Sequence, residues 1–572
     1  MNAPEFTDRW LIVGTLTTAS PLHIGDGSIG EVYDRTRPKN DAAAEPVESE
    51  ASTVCVDYRG RAFIPGSSLK GVLRARVEHN LRSEESELAS WWEQQRKSTQ
   101  SARERPPDAP WTNMFGSSRA DSDTAVGGKL TFFDAFHKEP PDPTDLAARA
   151  QCSDGTWNRR RIEANQQDDR NRPYWDPIRR TCVAVSNSLD RRLKSSKDKL
   201  LYCIEYIPPG ESFLVEIGGE NLTPREIGLL LHLLETFNEP EVNCTRLGAL
   251  ESNSWGRLIW TDVKVFRLTA HNLSQWVKNP GVGYQACTEI VDAEKLKNQA
   301  VAPVRCSRST LSISLSVIVE SPWLIRDPRQ RDRAEAAKKR KEKEEAKPPD
   351  AVPIHDENGR PFVPAKSLRG ALRARAELIL RTLELQCARH PDDLEPVTTK
   401  GLSLAKAFER VRKADLAARL FGLPGWRAPL RVTRLTLAEG SPPILDDRHQ
   451  EHVAIDRFTG GAADALKYNA DLAGTATLTG QLTVDLARLK EVDPDCASIA
   501  LLALVLRDLA EGDIPIGSGC AKGQGACRAE ATITHCGQTY NTLSEWFASN
   551  AVNDSLQALR ASCPTPATTT MH

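Results

Sequence analysis

Gly60-Arg-Ala-Phe-Ile-Pro-Gly-Ser-Ser-Leu-Lys-Gly71-Val-Leu-Arg-Ala-Arg76 returns 299 residues later as Gly359-Arg-Pro-Phe-Val-Pro-Ala-Lys-Ser-Leu-Arg-Gly370-Ala-Leu-Arg-Ala-Arg375, with 11 of 17 positions identical. A repeat of this length marks a duplicated domain, so fold and chemistry are read as a pair. Each copy runs from a Gly-containing turn through a short apolar strand, Phe63-Ile64 or Phe362-Val363, to a proline. A helix follows, its apolar positions Leu69, Val72, Leu73 and Val77, and Leu368, Leu372, Ala376, Ile379 and Leu383, forming one buried stripe. Ser67 or Ser68 and Ser367 are placed to cap it. Its amino end combines free backbone N–H groups with a cation, Lys70 or Arg369, and a further arginine one turn on, Arg74 or Arg373.

Each copy opens with a strand, Trp10 to Leu16 and Leu311 to Val319, where Leu and Ile alternate with Ser in the second. Both strands end in matching turns that carry Asp26 and Asp327. Late in each copy, Thr223-Pro224 and Asp493-Pro494 read as a cap followed by proline at the first helical position. Apolar helices, Ile227 to Phe237 and Ile499 to Leu509, then lead into glycine loops bounded by Gly248 and Gly256, and by Gly517 and Gly525. The Thr223-Pro224 and Asp493-Pro494 pairs lie 270 apart rather than 299, so copy one carries an insertion of about thirty residues, a change loops tolerate. It falls between Glu139 and Arg180 and mixes Trp157, Tyr174 and Trp175 with arginines.

The expected organisation is a first domain over 8–268, a linker over 269–308, a second domain over 309–535 and a marginally ordered tail over 536–572. The charged run between Asp327 and Asp350 reads as a solvated helix or loop. With 75 basic and 77 acidic residues the net charge is −2, which leaves nucleic-acid binding to a local basic surface. Thirteen cysteines without a C-x-x-C pair argue against a disulfide framework and a structural zinc. No apolar run approaches a membrane span, so the expectation is a cytoplasmic protein without a membrane partner.

The segments PLHIGDG, GRAFIPGSSLKGVLRAR, GRPFVPAKSLRGALRAR, MFG at Met114, LFG at Leu420 and HVAIDRFTGGA from His452, together with the late glycine loops, resemble the RAMP superfamily. More narrowly they are similar to backbone subunits of type III CRISPR-Cas effector complexes, two of them fused here. The resemblance implies an α+β fold of tandem ferredoxin-like or RRM-like domains with loop and thumb-hairpin insertions. It implies guide (CRISPR) RNA, complementary target RNA and other effector subunits as partners.

For RNA-backbone contact the expected residues are Gly66, Ser67, Ser68, Lys70 and Arg74, with Lys366, Ser367, Arg369 and Arg373 in the second copy, where a helix end offers donors to phosphate. The glycine loops add Gly248, Gly256, Gly517, Lys522 and Gly525. The thumb of the second copy adds Asp456, Arg457, Phe458 and Thr459, with Phe458 as an apolar wedge. Copy one offers Val183 to Leu189 at that place, without the Asp-Arg-x-Thr-Gly portion.

Target RNA cleavage in the family needs an aspartate and, by expectation, Mg2+ or another divalent cation. Asp350 matches that aspartate's place, while the register in copy one falls on Ala51 and leaves Asp34 and Asp26 as acids of the same loop. Asp26 has Asp327 as its counterpart, and a shared aspartate also closes turns. The alternatives are a structural RNA-binding subunit, a guide-processing endoribonuclease using histidine, and a generic single-strand RNA binder with aromatics on its strands. Trp10 and Phe63 alone are too few for the last.

Overall fold

The computed structural model describes residues 6–33, 48–82, 111–116, 127–138, 179–190, 195–241, 243–278, 288–300, 310–327, 349–356, 359–385, 404–440 and 448–563. Asp34 and nearly all of the Arg- and Trp-rich insertion lie outside them, as does the charged run 328–348.

The first half contains β1 (Asp8–Thr18), β2 (Gly25–Tyr33), β3 (Glu48–Val54), α1 (Gly66–Arg82), β4 (Leu130–Phe132), β5 (Phe136–His137), β6 (Cys182–Asp190), β7 (Ser195–Tyr206), β8 (Ser212–Glu220), α2 (Pro224–Glu235), β9 (Leu258–Thr269) and β10 (Glu289–Val291). Its main sheet has the order β10-β9-β1-β8-β4, with β5 also on β8. The second half contains β11 (Thr310–Val319), α3 (Ala365–Thr382), β12 (Leu430–Val432), β13 (Thr436–Leu437), β14 (Arg448–Ile455), β15 (Ala462–Leu472), β16 (Ala476–Asp485), α4 (Ala497–Glu511), β17 (Cys527–His535) and β18 (Gln538–Tyr540). Its sheet runs β12-β16-β11-β17-β18, with β13 also on β16. Taking strand, helix, strand, strand, helix, strand in chain order, both sheets place the fourth strand beside the first, then the third, then the second. That is the ferredoxin-like arrangement, present twice, and it bears out the α+β reading.

Alternation makes these sheets. Leu311, Ile313, Leu315, Val317 and Val319 are at most 3% exposed, while Ser312, Ser314 and Ser316 face away from the helices. Leu69, Leu73 and Val77 of α1, and Leu368, Leu372, Ala376 and Leu380 of α3, form the buried stripes. Met114 and Phe115, and Leu420 and Phe421, are buried in the two cores.

Three local details differ from the expectation. The helices begin at Gly66 and Ala365, so the serines lie within the first turn; the Gly66 N–H donates to Asp134 Oδ1 at 2.8 Å, and α3 has no side-chain cap. Thr223 caps α2 in a capping box with Glu226, but α4 starts only at Ala497. There Cys496 takes a left-handed φ of 54°, and Asp493 acts from further back, accepting the Ser498 N–H at 2.8 Å. The described parts of the segments beyond each domain also carry secondary structure. β10 extends the first sheet and Leu296 enters its core; β18 extends the second, and Trp546 is fully buried with its Nε1–H on His535 Nδ1 at 3.2 Å.

A hairpin projects from each half. β6 and β7 join β2 and β3 in a four-stranded sheet ordered β2-β3-β7-β6, and β14 pairs with β15 alone. No helix among the described residues is long and apolar enough to cross a membrane.

Candidate nucleic-acid interface

The two halves meet head to tail. The glycine loop of the first half folds back on the turn after β1: Gly256 N–H donates to Pro21 O at 2.8 Å and Ala249 N–H to His23 O at 2.8 Å. The second loop repeats this, with Gly525 N–H on Pro322 O at 2.9 Å and Ser518 N–H on Leu324 O at 2.8 Å. Gly248, Gly256, Gly517 and Gly525 all have φ between 73° and 87°, and a Cβ on any of them would collide with a backbone carbonyl. These glycines therefore lock a loop to a turn.

The tip of the first loop reaches the start of α3. Arg369 donates to Ser252 Oγ at 2.8 Å, Asn253 Oδ1 at 3.3 Å and the Phe421 carbonyl; Ser254 Oγ–H donates to Val432 O at 2.7 Å. Arg427 pairs with Glu251 at 2.7 Å. Burial, with Arg373 nearby, brings Arg369 down to about 10. Arg373 bonds Glu377 at 2.9 Å and Gly422 O at 2.9 Å. Both arginines expected at phosphates thus hold the LFG turn, and Arg369 also clamps the junction.

Beside this junction lies a cavity of about 1290 Å3. Its floor is the outer face of the second sheet, with Ser314, Ser316, Thr479 and Gln481; the opposite wall carries Tyr202, Tyr206 and Trp255 from the first half. The uncapped start of α3 opens here with Lys366 and Arg434. Lys366 Nζ donates to Ser186 Oγ across the junction at 2.7 Å, and burial lowers its pKa. Arg434 lies over the Phe362 ring at 5.6 Å. Backbone donors, a lysine and an arginine facing one cavity suit a phosphate, and the aromatic wall suits a base.

The first-half helix start is different. Gly66 packs on the Phe132 and Phe133 carbonyls and is held by Asp134; Ser67 is exposed, Ser68 and Lys70 are half-buried, and Arg74 pairs with Glu78 at 2.9 Å.

In the second hairpin Asp456 accepts the backbone N–H groups of Phe458 at 2.7 Å and Thr459 at 3.1 Å. The Thr459 and Phe458 bonds hold its carboxyl below the usual range. The turn so fixed leaves Phe458 fully exposed and Arg457 in solvent. Lys522 bonds the Tyr468 hydroxyl with its ammonium 4.8 Å from that ring, and His452 stacks on the same ring with centroids 4.8 Å apart.

The acids are dispersed. Asp350 N–H donates to Asn469 O at 3.0 Å and Asp350 Oδ2 accepts the Asn469 N–H at 3.0 Å, so it fastens the loop before the motif to the second hairpin. Asp26 accepts from Ser28 N–H at 2.8 Å, Ser28 Oγ–H at 2.6 Å and Thr53 Oγ1–H at 3.0 Å. Partial burial opposes its ionisation, and these bonds outweigh it, so its carboxyl sits below the usual range. Asp327 is 1% exposed and borders the cavity with His355 and Asp356. Among the described residues, the one set of three possible metal ligands is Asp508, Glu511 and Asp513, and Arg375 pairs with the first at 2.5 Å and the third at 2.6 Å. None of the candidate acids Asp26, Asp327 and Asp350 belongs to that set.

Arg434, Tyr202, Tyr206 and Trp255 escaped the sequence reading because nothing in the repeated motif points to them. The chain is thus a tandem of ferredoxin-like domains, with Lys366 and Arg434 at the cavity between them. The RAMP superfamily model matches residues 15–259 and 317–528, and the chain belongs to that superfamily of CRISPR RNA-binding Cas proteins. No curated protein matches the chain.

Proposed function

We propose that this chain is a fused double backbone subunit of a type III effector complex that holds guide RNA in the cleft between its halves. The observation that carries the reading is the uncapped start of α3, which opens with Lys366 and Arg434 into a cavity large enough for nucleotides. The head-to-tail junction supports the backbone role. A loop from one half seats on the helix start of the next, so the helix start of the first half and the loop of the second face outward with Ser67 and Lys522 exposed. The test is guide-RNA affinity across a salt series. Lys366→Ala and Arg434→Ala each weaken binding and reduce the slope of log K against log salt by about 0.7, one single-strand phosphate contact. Unaltered slopes in both variants refute the assignment.

Cutting of complementary target RNA, with Asp350 as the acid, belongs to the same proposal. A non-catalytic structural subunit is the second reading, favoured by the engagement of Asp350 with Asn469 and of Asp26 with Ser28 and Thr53. In the assembled complex, loss of a working acid in Asp350→Ala slows cleavage roughly 100- to 10,000-fold. Unchanged rates in Asp350→Ala, Asp34→Ala and Asp26→Ala alike leave the chain a structural subunit.

A further inference from the structure

The two sheets share one register, which makes their outer faces comparable position by position. Phe136 pairs with Leu214 as Thr436 pairs with Thr479. The Phe133 N–H donates to Glu216 O at 3.2 Å as the Thr433 N–H donates to Gln481 O at 2.9 Å. Phe133, Phe136 and Leu214 therefore stand where the second half has Thr433, Thr436 and Thr479, three residues that line the cavity. Between them Asp134, which caps α1, stands where the second half has Arg434. The phenyl rings are open: Phe133 is 48% and Phe136 40% exposed. Phe136 stacks on Phe63 with centroids 5.7 Å apart, and the Arg61 guanidinium lies over it at 5.6 Å.

We propose that the first half grips unpaired nucleobases of RNA by stacking on Phe133 and Phe136, while phosphate capture falls to the second half. The proposal rests on the RNA-binding reading above. The coordinated exchange of an arginine for an aspartate and of threonines for phenylalanines supports it, since the same surface loses its attraction for phosphate and gains flat π-faces. Asp57 pairs with Arg61 at 2.7 Å, so the guanidinium beside Phe136 carries its own counter-charge. Flat rings flanked by a guanidinium favour a base over an apolar protein segment, which branched aliphatic side chains would serve equally.

The test uses the full chain and a single-stranded oligouridylate carrying 4-thiouridine. Phe133→Ala and Phe136→Ala each weaken binding about 5- to 150-fold, the loss of one stacked base, without altering the salt slope. Phe136→Tyr retains binding, Phe136→Leu does not, and photo-cross-links map to the peptide containing both rings. Wild-type affinity in Phe136→Leu overturns the proposal, because apolar area alone then suffices. Wild-type affinity in both alanine variants, with Lys366→Ala still weakened, overturns the platform while the RNA-binding cleft stands. Wild-type affinity in all of them, Lys366→Ala included, sinks both.

Discussion

Arg369→Ala separates a junction clamp from a phosphate contact. The guanidinium gives three hydrogen bonds, to Ser252, Asn253 and the Phe421 carbonyl, and bonds from a charged donor contribute about 1.5–3 kcal/mol each. Ser252 and Asn253 are half-buried and turn to water once the arginine is gone, whereas Phe421 is 1% exposed, and a dry, unpaired carbonyl costs about 1–3 kcal/mol. Relief of the desolvation that brings Arg369 down to about 10 offsets part of the loss. The balance is about 2–4 kcal/mol, or roughly 4–16 °C in the unfolding midpoint of a unit this size. Calorimetry with and without guide RNA measures it, and limited proteolysis reports whether the halves have parted. A variant with an unshifted midpoint and weakened RNA binding would refute the reasoning and restore Arg369 to the phosphates.

His137 governs an acid limb of stability. Burial first, then Arg180 and Arg61, bring it down to about 3 against the small opposing pull of Asp57; Glu211, 3.6 Å away, is already paired with Arg180 at 2.7 Å. Its folded pKa lies below the ordinary 6.5, so its contribution is complete above pH 6.5 and is lost as pH falls toward 3, by at most about 1.4 kcal/mol per unit. Denaturant titrations at pH 7 and 5 should show a shallower loss in His137→Phe, and parallel losses in both proteins count against this. Gly71 and Gly370 sit inside α1 and α3, and a Cβ on either meets nothing, so Gly71→Ala and Gly370→Ala should each stabilise the chain by about 0.4–1 kcal/mol in urea melts. Gly525→Ala, at φ 73° and against the Ile516 carbonyl, should destabilise it by more than about 1 kcal/mol, and a neutral result would mean the loop relaxes freely.

The fold was legible where periodicity is strong. Leu-Ser alternation in β11 and the stripes of α1 and α3 announce which face is buried, and the repeat doubles each signal. Boundaries set by single backbone angles were not. Nothing in Asp493-Pro494 tells that Cys496 adopts φ 54° and delays the helix to Ala497. The extensions were hidden for another reason: β10 and β18 are three residues each, too short for a pattern, and depend on the sheet edge they join.

The site was legible only as a motif. Sequence places Lys366, Arg369 and Arg373 together at a helix start, but which cation meets solvent is set by what packs there. Arg369 is claimed by a loop 116 residues upstream, and Lys366 is left at the cavity. The position that decides whether either helix start is open, Asp134 or Arg434, lies in the break between β4 and β5 or between β12 and β13, where the copies share little sequence likeness. A carboxylate there satisfies the first N–H of its helix and repels a phosphate; a guanidinium leaves the N–H to a ligand and attracts one. One side chain thus separates two copies of the same motif, one helix start held by a carboxylate and the other without a side-chain cap, and the shared strand register is what aligns the two positions.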